Sequence, residues 1–395
     1  MKLIKNGIVY TMKMPPIPGG RVVIDGERIA GVYSPDERLP GDESKMEIID
    51  AEGGWIMPGL IDAHCHVGIL EDSVGEVGRD ANEGSDPITP YLSAVDGVNP
   101  MDPAFSDAVK AGITSIMTGP GSSNVVGGQF VFLKTSGISV DDMIVKAPAA
   151  MKVAFGENPK DNFGKNNQSP VTRMAIAGML REEISRAREY QREKMFCRKE
   201  EGYFREDYRY ECWLPVLEKR IPIKAHAHRA DDILTAIRIA QEFDLELTLD
   251  HCTEGHLIAD KIKASGYPVN LGPALQWRNK CELKELSLQT PAIMERYGMN
   301  VALITDHPVS PIYMLPIYAG ISVREGLSLE AALQAITVNA AKVCGVSDRI
   351  GTLARGMDAD IAVYSDNPLS NLTQTLYTII NGKIVYSRDK NGNYS

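Results

Sequence analysis

The stretch Pro58-Gly59-Leu60-Ile61-Asp62-Ala63-His64-Cys65-His66 is an apolar run that begins with Pro-Gly and ends with two alternate histidines. Successive side chains of a β-strand point to opposite faces, so His64 and His66 point the same way and can bind one metal ion. An isolated His-x-His pair is more often exposed or hydrogen-bonded than metal-bound. Here the pair ends a predicted buried strand, and barrel enzymes place their chemistry at the carboxyl ends of such strands. We therefore interpret the stretch as a barrel strand that delivers metal ligands.

The sequence that follows alternates apolar β runs with helical stretches, the pattern of parallel βαβ units. The predicted helices are Val171–Lys194, Ala230–Phe243, His256–Ala264 and Leu329–Cys344. The predicted strands are Trp55–Asp62, Ile113–Thr118, Phe130–Leu133, Ala149–Phe155, Ile221–Ala225, Glu246–Asp250, Pro268–Leu271 and Val301–Thr305. Eight strands is the number of a TIM barrel, so we predict an α/β fold of this class.

Short β-rich runs separated by turns occupy both ends of the chain. Asp25-Gly26 lies between two such runs near the amino terminus and is a strong hairpin signal. The carboxyl end repeats the pattern at residues 360–364 and 378–386. We predict that residues 1–55 and 352–395 form one small composite β-domain, and that residues 56–351 form the barrel.

Composition narrows the class of protein. The chain has 395 residues, 44% of them hydrophobic, and 52 acidic against 42 basic side chains give a net charge of −10. It contains no Lys/Arg block that would follow a phosphate backbone, so we predict no nucleic-acid partner. Its amino terminus has no signal-peptide core and no apolar run reaches membrane-spanning length, which predicts a cytoplasmic protein without a membrane partner. The six cysteines form no Cys-x-x-Cys pair and are interpreted as reduced thiols.

Further candidate ligands lie at or just past other predicted strand ends. His226 and His228 follow strand five, His251 ends strand six, and Asp306 follows strand eight. Three histidines with a carboxylate suit zinc or a similar divalent ion and leave a coordination position for water. Any one of these histidines has an ordinary explanation, such as a core hydrogen bond. Five of the seven histidines at strand ends, together with an aspartate, predict a metal site.

Several stretches together resemble the amidohydrolase superfamily, and within it the branch of imidazolonepropionase-related amidohydrolases and metallo-dipeptidases. These stretches are residues 59–66, 225–228, 250–251, 305–308, 351–353 and 356–361. The resemblance spans nearly the whole chain. It implies a distorted (β/α)8 TIM barrel with a small composite β-sandwich domain built from both chain ends. By position, it also implies that His64, His66, His226 and His251 bind metal, and that Asp306 binds metal and takes a proton from a bridging water.

One position departs from this pattern. In the deaminase and imidazolonepropionase members, the strand-five histidine is followed three residues later by a glutamate that shuttles protons, and here that residue is Arg229. This argues against deamination and against imidazolone ring opening. An arginine presents a planar fork that fits a carboxylate, so Arg229 can hold an acidic substrate. The alternative is an ion pair at the helix start with Asp231 or Asp232.

The bridging ligand of a two-metal site has two candidates. Lys152 lies within an apolar barrel strand, where an ammonium is costly unless it is neutralised or paired. It resembles the lysine that bridges two metals as a carbamate in several members of the superfamily. Glu157 lies nearer the strand end, and other members bridge their metals with a glutamate. We favour Lys152 for its longer side chain; the remaining alternative is that Lys152 pairs with a buried acid and Glu157 caps a loop.

Candidates for substrate contact lie in the loops at the same rim. The glycine-rich segment after strand two, which ends at Gln129, lets a backbone approach a ligand closely, or is only a turn. Arg278 follows strand seven and either faces the pocket or is exposed. The predicted substrate-binding residues are Gln129, His228, Arg229 and Arg278.

The predicted function is hydrolysis of a carbon–nitrogen bond in an amide, peptide or cyclic amide of a small molecule, with one or two divalent ions, Zn²⁺ foremost. A metal polarises the carbonyl and lowers the pKa of bound water, while Asp306 accepts the proton and returns it to the leaving amine. The alternatives are a deaminase of a nitrogenous ring and a non-catalytic binding protein on the same scaffold. The second predicts lost ligands, whereas all five are present. A homo-oligomer is implied by the family alone.

Overall fold

The computed structural model describes residues 1–200 and 202–388, which form sixteen β-strands and twelve α-helices. The strands are β1 (Lys2–Val9), β2 (Ile17–Asp25), β3 (Arg28–Tyr33), β4 (Glu47–Asp50), β5 (Trp55–Pro58), β6 (Leu60–Cys65), β7 (Ile113–Thr118), β8 (Val126–Lys134), β9 (Ile144–Ala154), β10 (Ile223–Ala227), β11 (Leu247–His251), β12 (Val269–Leu271), β13 (Val301–Leu303), β14 (Ile361–Tyr364), β15 (Thr375–Ile380) and β16 (Lys383–Ser387). The helices are α1 (Pro103–Lys110), α2 (Val140–Met143), α3 (Glu157–Gly164), α4 (Arg173–Lys199), α5 (Tyr208–Glu211), α6 (Leu214–Leu217), α7 (Ala230–Glu242), α8 (Ala259–Ser265), α9 (Thr290–Arg296), α10 (Leu315–Arg324), α11 (Leu329–Ala335) and α12 (Val338–Val343). Residues 389–395 of the predicted composite domain lie outside the described residues.

Two eight-stranded sheets contain these strands. The barrel sheet has the order β13-β12-β11-β10-β9-β8-β7-β6. The second sheet, which we call the end sheet, has the order β16-β15-β14-β5-β1-β2-β3, with β4 paired to β1. The end sheet draws its strands from both ends of the chain, so the predicted fold class is confirmed. The division at residues 55 and 352 stays a prediction.

The two edges of the barrel sheet meet through backbone contacts beyond the strand ends. The amide of Asp306 donates to the carbonyl of His64 at 3.1 Å, and the amide of His66 donates to the carbonyl of His307 at 2.9 Å. These bonds close the rim and hold the segment after β13 against β6. Apart from residues 144–148 of β9 and Gln129 of β8, the barrel strands are buried on both faces, which explains why most of them appear in the sequence as continuous apolar runs.

The predicted strand Trp55–Asp62 is two strands in different sheets. β5 pairs with β1 and β14 in the end sheet, whereas β6 pairs with β7 in the barrel. Gly59 separates them, and a Cβ atom at this position would lie 2.1 Å from Oγ1 of Thr114. Only glycine therefore allows the chain to pass from one sheet into the other at this point.

The expectation of parallel strands throughout the barrel was wrong for β8. This strand runs antiparallel to both β7 and β9. The connection from β7 spans residues 119–125, which is too short for the crossover that a parallel pair requires, so a hairpin forms instead. The antiparallel strand is the distortion of the barrel, and it brings the glycine-rich loop to the rim that carries the histidines.

The helices follow the predicted stretches with shifted bounds. The predicted Val171–Lys194 corresponds to α4, and Ala230–Phe243 corresponds to α7. The predicted single helix Leu329–Cys344 is divided into α11 and α12, because the backbone of Thr337 leaves the helical region at φ −137° and ψ −97°. Within the described residues, none of the helices is both long and apolar enough to cross a membrane.

A buried ion cluster connects the barrel to the end sheet. Lys134, the last residue of β8, is 2% exposed and forms ion pairs with Asp358 at 3.0 Å and with Asp360. Asp358 also pairs with Arg349 at 2.9 Å and with Arg28 of β3. We call this group the latch. It explains why the sequence places two aspartates just before β14.

Candidate metal centre

The predicted ligand histidines converge at one rim of the barrel. His64 is the penultimate residue of β6 and His66 follows the strand, while His226 lies in β10 and His251 ends β11. The ring of His64 lies 5.3 Å from the rings of both His66 and His251, and the rings of His226 and His251 are 4.5 Å apart. Residues that are distant in sequence therefore form one buried group, because the carboxyl ends of parallel barrel strands meet at one rim.

Oxygen atoms outside this group fix how three of the imidazoles face. Nδ1 of His66 lies 2.7 Å from the carbonyl of Gly119, and Nδ1 of His251 lies 2.8 Å from the carbonyl of Gly272. Nδ1 of His64 lies 3.0 Å from the carboxylate of Asp250. Since these oxygens can only accept, Nδ1 carries the proton and the lone pair of Nε2 points into the barrel. Nε2 of His251 is buried without a hydrogen-bond partner among the described residues, as expected of a metal ligand.

Burial keeps the imidazoles neutral. Desolvation, with the nearby Lys152 ammonium, lowers the pKa of His64 to about 4. Desolvation also lowers the pKa of His251, and it lowers the pKa of His226 well below its ordinary value. Neutral imidazole is the form that binds metal, so at neutral pH these side chains need not lose a proton first.

Asp306 adds a carboxylate to the group. Its Oδ1 lies 3.2 Å from Nε2 of His64 and 3.2 Å from Nε2 of His66. Tetrahedral zinc with N and O ligands would separate neighbouring ligand atoms by about 3.4 Å. Burial raises the pKa of Asp306, but His251, His64 and His66 outweigh this effect and hold the pKa well below its ordinary value. The donors present therefore fit a divalent ion of the zinc type.

The two bridging candidates lie in different surroundings. Lys152 is 0% exposed, and its Nζ lies 3.5 Å from Nε2 of His64. Desolvation lowers the pKa of Lys152 to about 8, and no carboxylate of the described residues lies within ion-pair distance of its ammonium. Glu157 begins α3 and is partly exposed; its amide donates to Glu282 at 3.0 Å, and the described contacts do not join its carboxylate to a histidine. The ligand role of either residue stays a prediction.

A buried polar network behind His64 was missed in the sequence. Asp250 accepts from Nζ of Lys224 at 2.9 Å and from Nδ2 of Asn270 at 2.7 Å, and Lys224 also donates to the carbonyl of Ala63 at 3.0 Å. These contacts fix the carboxylate that orients His64. The available signal was a lysine and an asparagine inside otherwise apolar strands.

A second group of donors lies beside the first. Nδ1 of His228 lies 2.7 Å from Oγ1 of Thr253, which leaves its Nε2 facing Glu282 at 3.7 Å. Glu282 is 1% exposed and also lies 3.9 Å from Nε2 of His226. No sequence pattern marks Glu282, because the loop that carries it contains a second glutamate and no strand pattern.

The remaining predicted substrate contacts are dispersed. Gln129 lies within β8, and its side-chain amide donates to the carbonyl of Pro90 at 3.3 Å. Arg229 forms two hydrogen bonds of 3.1 Å with Asp231, which is the helix-start pairing left open as the alternative. Arg278 is exposed and donates to the carbonyl of Leu286 at 2.6 Å. A substrate role for these residues, as for His228, stays a prediction.

Comparison with known proteins identifies the family. The crystal structure of an amidohydrolase from Thermotoga maritima is 40% identical, covers 98% of this chain and 100% of that chain, and superposes with a TM-score of 0.94. The chain belongs to the amidohydrolase family. The model of the family described as "Amidohydrolase family" matches residues 288–386.

Two curated relatives of this amidohydrolase are more distant. Amidohydrolase tasK of Hapsidospora irregularis is 27% identical over 93% of this chain, which spans only 41% of the length of tasK. Imidazolonepropionase of Colwellia psychrerythraea is 25% identical over 85% of this chain and 82% of its own length. These relatives confirm the predicted superfamily and branch, and they support the predicted enzyme class, a hydrolase that acts on carbon–nitrogen bonds.

Proposed function

We propose that this amidohydrolase uses a divalent ion, Zn²⁺ foremost, to hydrolyse a carbon–nitrogen bond in an amide, peptide or cyclic amide of a small molecule. The observation that carries the proposal is the convergence of His64 and His66 on Asp306, whose Oδ1 lies 3.2 Å from Nε2 of each histidine at the barrel rim. His226 and His251 lie beside them on the next strands. A binding protein that merely kept the scaffold would have no reason to retain this complete set.

A bound ion would polarise the scissile carbonyl and acidify water. Asp306 is placed to accept the proton, because its carboxylate is ionised at neutral pH and its side chain is 14% exposed, so that substrate can reach it. The same residue can return the proton to the departing amine. Asp250 keeps His64 oriented while this happens, since it is itself held by Lys224 and Asn270.

Lys152 is our proposed bridging ligand, as a carbamate. Its neutral amine would add to carbon dioxide and release a proton, which turns an unpaired ammonium into a bidentate oxygen ligand. Its full burial and its distance of 3.5 Å from Nε2 of His64 support this role. The partial exposure of Glu157 makes that residue the weaker candidate.

The test is Asp306→Asn, which keeps the shape of the side chain but removes the base. Turnover should fall by roughly 10²–10⁴-fold, the usual range for general-base catalysis. Wild type is first screened against dipeptides, N-acyl amino acids, cyclic amides and nitrogenous rings, with amine, carboxylate and ammonia as the products followed. Near-normal turnover by Asp306→Asn would reassign the base, and ammonia release from a ring would favour the deaminase alternative.

A further inference from the structure

Lys280 brings a positive charge to the rim that carries the donors. It lies in the loop of residues 272–289 between β12 and α9. Its Nζ lies 2.5 Å from Oε1 of Glu282, and the same oxygen lies 3.7 Å from Nε2 of His228 and 3.9 Å from Nε2 of His226. One carboxylate oxygen therefore separates the ammonium from a predicted metal ligand.

Fixed acceptors position the ammonium of Lys280. Its Nζ also donates to Oδ1 of Asn158 at 3.1 Å, and the side-chain amide of Asn158 in turn donates to Oγ of Ser122 at 2.6 Å. Oε2 of Glu282 accepts from the amide of Glu157 at 3.0 Å, and Glu282 is 1% exposed. Because both acceptors are held by other groups, the position of Nζ is defined before a ligand binds.

One donor of Lys280 is left for a ligand. An ammonium has three N–H donors, and the described residues supply acceptors for two of them. The side chain is 28% exposed, so the third donor is accessible from solvent. A negatively charged oxygen is the strongest partner for such a donor.

The two arginines predicted to contact substrate are placed differently. Arg229 forms its two hydrogen bonds with Asp231, and Arg278 is exposed and donates to the carbonyl of Leu286. In the part of the chain that the structure describes, neither is joined by a hydrogen bond or an ion pair to a donor histidine or to its neighbouring carboxylate. Lys280 is therefore better placed than either arginine to hold an acidic group of the substrate.

We propose that Lys280 binds a carboxylate of the substrate, attached to the carbon next to the scissile amide. This inference rests on the proposed function, because it narrows the substrate of the same site to acidic amides. On the amine side, the carbon of such a carboxylate lies only about 2.5 Å from the scissile nitrogen. A carbonyl held at the rim would therefore bring the carboxylate close to the loop that carries Lys280. A carboxylate on the acyl side offers the same chemistry, and the test distinguishes the two positions.

The charges around Lys280 favour one added negative charge. In the free protein, the ammonium of Lys280 is compensated by the carboxylate of Glu282. A divalent ion at the rim would add positive charge in buried surroundings, where electrostatic interactions are stronger than in water. A substrate carboxylate is attracted to both the ion and the ammonium, whereas a neutral amide in its place is not. Lys280 thus gives the site a preference between substrates of nearly equal shape.

The test compares acids with their primary amides, which have nearly the same shape but no charge. N-acetylglycine and N-acetylglycinamide place the group on the amine side, and malonamic acid and malonamide place it on the acyl side. Binding to the full Zn²⁺-loaded chain is measured by calorimetry, and turnover is followed with the same four compounds. In one of the two pairs, wild type should favour the acid by roughly 10–100-fold, the usual effect of a hydrogen bond to a charged group.

Substitutions at Lys280 assign this preference to its charge. Lys280→Met should weaken binding of the acid by the same factor and leave binding of the amide nearly unchanged, whereas Lys280→Arg keeps the charge and should retain the preference. Lys284→Met removes a lysine from an exposed position of the same loop and should match wild type. Equal metal content and equal thermal unfolding show that a variant has an undisturbed rim. If Lys280→Met fails this control, Lys280→Gln, whose amide can still donate to Glu282, takes its place.

Two outcomes would overturn the inference. One is a wild type that binds neither acid better than its amide. The other is a Lys280→Met protein that keeps the wild-type preference, which would make the metal rather than Lys280 the partner of the carboxylate. Acid-selective binding that depends on Lys280 but leads to no hydrolysis would contradict the proposed function and leave this inference standing. Hydrolysis of the neutral amides as fast as the acids, without selective binding, would do the reverse.

Discussion

Two buried lysines of neighbouring strands have opposite surroundings. Lys134 of β8 is 2% exposed and lies in the latch, where it pairs with Asp358 at 3.0 Å and with Asp360. Lys152 of β9 is 0% exposed, and its ammonium lies 3.5 Å from Nε2 of His64. The first charge is compensated by two carboxylates, whereas the second has no ion-pair partner within the described part of the chain.

The difference distinguishes a structural lysine from the lysine that we propose to be reactive. A buried ammonium with carboxylates around it stays charged and holds two layers of the fold together. A buried ammonium without a counter-ion has a lowered pKa, as Lys152 does at about 8, and its neutral amine is available for chemistry. Burial alone therefore does not make a lysine a candidate for function, whereas burial without a counter-ion does, and on this ground we propose Lys152.

The largest effect is expected from a double substitution that destroys the candidate metal site and leaves the latch intact. His64→Ala combined with His66→Ala should abolish all hydrolysis and metal binding at the group formed by His64, His66 and Asp306. The reason is that this group loses both imidazoles and keeps only the carboxylate. Metal content by mass spectrometry and turnover are the measurements.

His256→Ala is the matched control for this double substitution. His256 contacts Thr290 at 3.3 Å and lies outside both donor groups. This variant should keep full metal content. A doubly substituted protein that keeps all its metal would show that the ligands are assigned wrongly.

Lys134→Met breaks the latch and leaves the site. It exposes Asp358 and Asp360 to each other without their buried counter-ion, and loss of one partner from a buried ion cluster usually costs about 3–5 kcal/mol of unfolding free energy. Urea denaturation measures this change. The protein that remains folded should hold wild-type amounts of metal, and unchanged stability would remove the structural role of the latch.

Lys152→Met is the counterpart in the site. Methionine is an apolar side chain of similar length that replaces an unpaired charge, so the stability of the metal-free protein should change by less than about 1.5 kcal/mol. Urea denaturation in the presence of chelator is the measurement. If Lys152→Met lowered the free energy of unfolding as much as Lys134→Met does, Lys152 would have a stabilising partner. The contrast between the two lysines would then be wrong.

The smallest effect is the pH dependence of metal loading. Carbamate formation requires the neutral form of Lys152. Because the pKa of Lys152 is about 8, only a minor fraction of the side chain is neutral when the pH is below that value. Bicarbonate-dependent metal loading should therefore rise roughly tenfold from pH 7 to 9, with dissolved carbon dioxide held constant, and level off above that. Glu157→Gln should show the same rise and Lys152→Met none; the reverse pattern would make Glu157 the bridge.

Short sequence patterns predicted the barrel strands and the ligands at their ends, which depend mainly on residues close together in sequence. The alternation of His64 and His66, and the apolar strands before His226 and Asp306, were sufficient to predict the barrel and the rim that carries the donors. The direction of β8 was not predicted, since it depends on the length of one connection. Glu282 was missed and Arg229 was placed beside two alternatives, because a loop position has no periodicity and its partner is decided by tertiary packing.

The join at Gly59 has a consequence for biosynthesis. β5 and β6 are separated by that single residue, yet β5 needs β14 as its neighbour, and β14 is synthesised only after the whole barrel. On the ribosome, β5 and the following strand with His64 would emerge early, and β5 could pair with β14 only after residues 361–364 have been synthesised. Pairing over such a separation in sequence is slow. Metal acquisition would accordingly be a late event in the folding of each new chain.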